Sequence, residues 1–188
     1  MKIVLASESP FRRRAMDLVG LPYVARPANI DEKAIRDGDP KQLTRKLAEA
    51  KAWKVAEEHP DAVIVSGDAV AAKDGKIYEK PVDLNEAARF LSEFSGNEFQ
   101  FVTSLAVLHA PKRKLLSAVE ISHITFRPLV EREIQEYIQK YAVLSYAGAF
   151  ESDAVLKFAD RVSGAVNIGT ALPVSRLIRL LREQGVEV

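Results

Sequence analysis

The chain has no cysteine, which removes disulfides, thiolate zinc sites and cysteine nucleophiles together and fits a reducing compartment. Its three histidines, His59, His109 and His123, are scattered, and no two have the four-residue spacing that puts paired imidazoles on one helical face. A hard cation held by carboxylates stays open. No apolar run approaches the ~20 residues of a membrane helix, and the apolar stretch in Met-Lys-Ile-Val-Leu-Ala is too short for a signal peptide. A cytoplasmic protein without membrane association is the expectation. Neither sign of charge dominates: 27 Lys and Arg against 26 Asp and Glu leave a net charge of +1, so no global field draws the chain to nucleic acid. The aromatic-basic strand motif of RNA readers is missing as well. Any electrostatic recognition must be local.

What is present describes an ordinary α/β protein. At 188 residues, 47% hydrophobic and 28% charged, the chain suits one globular domain, or at most two small ones sharing a core. Repeats, low-complexity tracts and Gly/Ser/Pro linkers are absent, so residues 1–188 read as a single domain. Lys2 to Ala6 reads as a buried strand running through Ser7-Glu8-Ser9-Pro10 into a helix that Gly20 ends, with Ser9 as N-cap. An extended piece near Tyr23 to Arg26 and an acidic loop with Asp31 and Glu32 lead to a helix over Pro40 to Glu58, capped by Asp39. Ala62 to Val65 is a second buried strand, ending at Ser66-Gly67-Asp68. Ala69 to Lys73 and Lys76 to Tyr78 flank Asp74-Gly75, a pair suited to a two-residue hairpin turn. A helix near Leu84 to Phe94, strands over Phe99 to Leu108 and Leu115 to Phe126, a helix near Glu131 to Lys140, a strand-like piece beyond Gly148 and a helix after Pro173 complete a mixed sheet flanked by helices.

Four features carry chemistry. Ser7, Ser9 and the run Arg12-Arg13-Arg14 stand at a strand-to-helix junction, where free N–H groups already favour an anion and cations are unfavourable without one, so the junction can cradle phosphate. The competing reading pairs the arginines with Glu8 and Asp17 in solvent. Lys51 lies on the ridge of Leu47 and Val55, a cation on an apolar face; such a lysine commonly packs its stem and lets its ammonium reach water. Asp68, just past the end of a central strand, stands where open α/β sheets build sites, as a general base, a metal ligand or the cap of a turn. Lys80 precedes a proline that stiffens the chain. The stripe Val174, Leu177, Ile178 and Leu181 reads as core packing.

Leu5-Ala6-Ser7-Glu8-Ser9-Pro10 followed by Arg12-Arg13 resembles the opening signature of the Maf nucleotide pyrophosphatases. Further matches follow in order: Asp31-Glu32, Lys51-Ala52, Ser66-Gly67-Asp68, Lys80-Pro81, Ser95-Gly96, Thr103, Tyr146-Ala147-Gly148, Asn167 and Leu172-Pro173. The resemblance implies an elongated fold like that of the inosine-triphosphate pyrophosphatases, two lobes around a cleft, and in many members a homodimer. It implies hydrolysis of a nucleoside triphosphate to monophosphate and pyrophosphate with Mg²⁺ or Mn²⁺. Asp68 matches the family's proton acceptor and Glu32 its second acidic residue, the two together the metal ligands; Ser7, Ser9, Arg12, Arg13, Lys51 and Lys80 match its polar and cationic phosphate groups.

Departures from the family pattern bear on the substrate. Phe11 stands where most members have arginine, Ala69 where most have threonine, and Asp153 where glutamine or glutamate is usual. An aromatic residue and a carboxylate at the first and third of these positions resemble the 7-methyl-GTP branch: an aromatic face stacks on a cationic methylated purine, and a carboxylate accepts from the guanine edge. The alternatives are a dTTP/UTP pyrophosphatase of the same family, with Phe11 in a core stripe alongside Ala15 and Leu18, or a nucleotide-binding regulator of cell division without turnover.

Overall fold

Local chemistry sets most element boundaries in the computed structural model, which describes every residue except 168 and, at 152 and 153, the backbone alone. The elements run β1 (Ile3–Leu5), α1 (Pro10–Val19), β2 (Val24–Ala25), α2 (Pro40–Glu58), β3 (Val63–Lys73), β4 (Lys76–Tyr78), α3 (Leu84–Phe94), β5 (Glu98–His109), β6 (Lys114–Phe126), α4 (Glu131–Lys140), α5 (Ser152–Phe158), β7 (Ala159–Gly164) and α6 (Val174–Glu183). Asp39 and Asp83 accept from backbone N–H groups at the starts of α2 and α3, and Gly20 closes α1 in a left-handed C-cap. Asp74 and Gly75 have φ of 50° and 78°, the two positive values that the tight β3–β4 hairpin requires.

Seven strands form a mixed sheet in the order β2-β1-β3-β5-β6-β7, with β4 paired to β3. β1 is parallel to both β2 and β3, whereas β4 and β7 run antiparallel to β3 and β6. The chain divides into two compact units. The first holds Met1–Asp68, Thr103–Glu120 and Thr170–Val188, the second Ala69–Val102 and Ile121–Gly169.

In the first unit, strand alternation sorts the core onto two faces. Ile3, Leu5, Val63 and Val65 join Met16 of α1 and Leu177 and Leu181 of α6, while Val4, Ala62 and Ile64 join Ala48, Ala52 and Val55 of α2. Both clusters are aliphatic. The predicted α6 stripe is confirmed as core: Leu177 and Leu181 are fully buried.

The core of the second unit is aromatic. Phe94, Phe99, Phe126, Phe150 and Phe158 are buried together with Tyr78 and Tyr137, beneath α3, α4 and α5. Ring centroids lie 4.1 Å apart for the stacked pair Phe94–Phe99 and 4.9 Å for the edge-on pair Phe99–Phe126.

Two sequence expectations are corrected. The chain does not leave the sheet at Ser66-Gly67-Asp68: β3 is continuous from Val63 to Lys73, so Asp68 sits inside a strand, neither beyond its end nor capping a turn. The strand holds because Ser66 Oγ bonds the Ala48 carbonyl and because Gly67 leaves room for its neighbours. The strand-like piece beyond Gly148 begins as helix α5, with Ala154, Val155 and Phe158 at helical spacing in the aromatic core, and becomes strand β7 at Ala159.

Candidate active site

The alternation that sorts the core also builds the site. Ser66 and Asp68 project from β3 on the face of Ile64, toward α2; Gly67 belongs to the opposite face, toward α1. On the α2 side, Thr44, Ala48 and Lys51 lie along one helical ridge. Thr44 accepts from buried Ser104 at 2.6 Å, the Ala48 carbonyl accepts from Ser66 at 2.6 Å, and the Lys51 ammonium donates to Asp68 Oδ1 at 2.6 Å. These polar pins fix the height of α2 along the strand.

Lys51 is only 6% exposed, so its ammonium does not reach water as such lysines commonly do. Its second partner, Glu32 Oε1, lies 3.0 Å away. Glu32 comes from a 3-10 turn, Glu32–Ala34, whose start Asp31 caps by accepting from the Lys33 N–H at 3.0 Å. The acidic pair is therefore not a solvated loop: one member builds the turn and the other meets the lysine.

Arg12 enters from the α1 side. A Cβ built on Gly67 would stand 2.4 Å from Leu172 Cδ2, 2.8 Å from the Ser104 carbonyl and 3.6 Å from Arg12 Nε, so the bare glycine lets the guanidinium lie against the strand next to Asp68. Arg12 Nη1 donates to Ser7 Oγ at 3.2 Å, and Arg12 Nε is buried without a hydrogen-bond partner. Pairing of the arginine run with Glu8 and Asp17 does not occur. Asp17 instead accepts from the Tyr23 hydroxyl at 3.0 Å, and Arg13 and Arg14 are exposed.

Burial shifts both central groups. It pushes the Asp68 carboxyl above the ordinary carboxylate range, against the pull of Lys51 and Arg12 toward the ionised form. It also weakens the hold of the Arg12 guanidinium on its proton, with Asp68 and Glu32 acting the other way. An acid and a cation held so close, both short of solvent, suit a reaction that brings in charge and moves a proton.

The remaining sequence candidates are placed as follows. Ser9 is the N-cap of α1, its hydroxyl accepting from the Arg12 N–H. Phe11 is half-buried and belongs to neither apolar cluster of its unit; the proposed core stripe fails because Leu18 is 61% exposed. Ala69 and Lys80 belong to the second unit, Ala69 half-buried in β3 and Lys80 exposed before buried Pro81. The Asp153 side chain lies outside the described residues. Among the described residues, no group of three or more histidines, aspartates or glutamates is arranged to hold a metal by itself, and no helix is long and apolar enough to cross a membrane. Sequence reasoning missed the hydroxyl pins Thr44, Ser66 and Ser104. Their one visible signal was Thr44, polar at the seventh position before Lys51 on the ridge that faces the sheet.

A family model described as Maf-like protein matches residues 2–184. The chain belongs to the Maf family. Among curated relatives of this Maf protein, one from Chlamydia pneumoniae named nucleoside triphosphate pyrophosphatase is 34% identical, covering 100% of this chain and 96% of its own. Another, from Colwellia psychrerythraea strain 34H and named 7-methyl-GTP pyrophosphatase, is 31% identical, covering 99% of this chain and 94% of its own. A solved structure of the Staphylococcus aureus Ham1 protein aligns with 67% of this chain and 72% of its own at 14% identity and a TM-score of 0.46.

Proposed function

We propose that this Maf protein hydrolyses a nucleoside triphosphate between the α and β phosphates, releasing monophosphate and pyrophosphate in the cytoplasm. One observation carries the reading: two buried or half-buried cations, Lys51 and Arg12, stand on either face of one strand position around Asp68, with Glu32 closing the cluster. Their formal charges cancel, so the cluster stands alone without a ligand and gains when a metal-bound polyphosphate enters. Asp68 and Glu32 would hold the divalent cation: two carboxylates bracketing one ammonium fit Mg²⁺ or Mn²⁺, which bind through one or two carboxylates plus substrate phosphates. When bound, that cation neutralises phosphate charge and lowers the pKa of water.

The chain's own residues do the rest. Ionised Asp68 takes the proton from the attacking water, and its raised pKa brings it nearer the working pH of a general base. Lys51 keeps the ionised form of Asp68 in place through its hydrogen bond and offers charge to the phosphates. Arg12, with Arg13 and Lys80 as further cations and the Ser9 junction at the start of α1, stabilises the leaving pyrophosphate. Phosphoryl chemistry of this kind depends on positioning and charge.

For the base we favour 7-methyl-guanine. Phe11, outside the apolar clusters, has a ring available to stack, and a relative at 31% identity carries that substrate in its name. The test is pyrophosphate release with Mg²⁺ or Mn²⁺ from 7-methyl-GTP, GTP, dTTP and UTP side by side. The expected result is turnover with 7-methyl-GTP highest in kcat/KM. A tenfold preference for dTTP or UTP, about 1.4 kcal/mol in transition-state binding, would overturn the substrate; binding without release would overturn the reaction.

A further inference from the structure

We infer that Ser7 is the positioning residue of Arg12 rather than a group that grips the nucleotide itself. The inference rests on the pyrophosphatase reading for its kinetic consequence, but its geometry stands apart from it.

Ser7 is 7% exposed, and its hydroxyl oxygen takes two hydrogen bonds at once. One comes from the Ser9 N–H at 3.1 Å, closing the bend that turns the chain from β1 into α1; the other comes from Arg12 Nη1 at 3.2 Å. A hydroxyl oxygen has two acceptor sites, and both are used. A phosphate oxygen offers only acceptors, so the same oxygen has nothing to give it except the single hydroxyl proton. Ser7 thus ties a backbone bend and a guanidinium to one atom. The helix start and the charge that projects from it are held in register.

Arg12 needs that tie. Its Nε is buried with no partner, Gly67 beside it presents no side chain, and the neighbouring carboxylate, Asp68, is already bonded to Lys51. The Ser7 hydroxyl is the hydrogen-bond acceptor recorded for the guanidinium, and it fixes which donors remain turned toward a ligand. Without it a long, rotatable side chain would have to be ordered at the moment of binding.

A double-variant cycle on pyrophosphate release from GTP or 7-methyl-GTP with Mg²⁺ tests the kinetic half. Ser7→Ala should lower kcat/KM about tenfold or more, a change matched to one charge-assisted hydrogen bond. Ser7→Thr, which keeps the hydroxyl, should recover most of the loss. In an Arg12→Ala background the same Ser7→Ala change should cost less than twofold. Equal losses in both backgrounds would show that Ser7 contacts substrate on its own, and the inference would fall. The second measurement needs no turnover: the Arg12 Nε–H resonance in a ¹H–¹⁵N spectrum of the full chain, assigned by its absence in Arg12→Lys. Exchange of this proton with water should quicken at least tenfold in Ser7→Ala and return toward the wild-type rate in Ser7→Thr. An unchanged rate in Ser7→Ala overturns the positioning role. A wild-type protein that releases no pyrophosphate, yet shows the quickened exchange, overturns the proposed function and leaves Ser7 as the holder of Arg12.

Discussion

The two compact units of this chain hold their interiors together by different means. The first packs aliphatic side chains on both faces of its strands and tolerates a buried lysine, a buried aspartate and an arginine with an unpartnered Nε. The second contains seven of the eight phenylalanines and no buried charge among its described residues. Buried charges cost free energy even when paired, so a unit that carries them is held against that cost by the rest of its core. Chemistry and cohesion are thus assigned to different residues, and the contrast can be broken from either side.

The largest expected effect is on the chemistry of the first unit. Asp68→Asn should lower hydrolysis by roughly 10²- to 10⁴-fold, the scale of a lost general base. Thermal stability should hold or rise, because a carboxyl whose pKa is raised by folding opposes the folded state at pH above its unfolded value. The amide still offers an acceptor to Lys51, and Glu32 still compensates its charge. The wild-type rate should climb with pH along a limb lying above the ordinary aspartate range, and the variant should lack that limb. A large drop in melting temperature with normal activity per folded molecule would reverse the assignment.

Next comes the cohesion of the second unit. Phe126 is 1% exposed and meets the rings of Phe94, Phe99, Phe150 and Phe158. Phe126→Ala should cost about 3–5 kcal/mol, a fall in melting temperature on the order of 10 °C by calorimetry. A loss below about 1 kcal/mol would mean that the aromatic cluster is loosely packed and that the contrast between the units is one of composition only.

How far the sequence foretold this arrangement depends on whether the deciding interaction is local. Asp39, Asp83, Gly20 and Asp74-Gly75 act within a few residues, and the helices and hairpin they delimit were legible. The direction of Arg12 against Arg13 and Arg14 was not, because Gly67, distant in sequence, makes the space that Arg12 fills. Lys51 looked like a lysine that reaches water for the same reason: its partners Glu32 and Asp68 are remote in the chain. Asp68 seemed to follow a strand because Ser-Gly-Asp is turn chemistry locally, and a tertiary bond from Ser66 to α2 overrides it. The family resemblance picked out these same residues without supplying the contacts that join them.

A smaller contrast uses two alanines held in the left-handed region. Ala171 of the first unit has φ of 47° and is half-buried; Ala149 of the second has φ of 62° and is fully buried in the aromatic core. Glycine relieves the strain at both, but at Ala149 it also removes a packed methyl group. Ala171→Gly should therefore stabilise by about 0.5–1 kcal/mol and Ala149→Gly by roughly nothing, as measured by denaturant midpoints. Equal gains at both would show that the Ala149 methyl contributes no packing.

The smallest effect compares two ion pairs by the direction in which protons act on them. Glu133 in the first turn of α4 accepts from Arg127 Nη1 and Nη2 at 2.9 and 2.5 Å and from the Val130 N–H at 3.1 Å, and these bonds hold its carboxyl down to about 2 from an ordinary 4.5. Its folded-state pKa is depressed, so its contribution is complete above about 4.5 and disappears as pH falls toward 2. Asp68, with its pKa raised, has the opposite sign. The melting temperature of Glu133→Gln should accordingly lie a little below wild type at pH 7 and meet it as pH falls from about 5 to 2, the gap staying small because the pair is open to water. If the gap instead widens on acidification, Glu133 is protonated more readily in the folded chain than in the unfolded one, and the fork of bonds from Arg127 does not hold in solution.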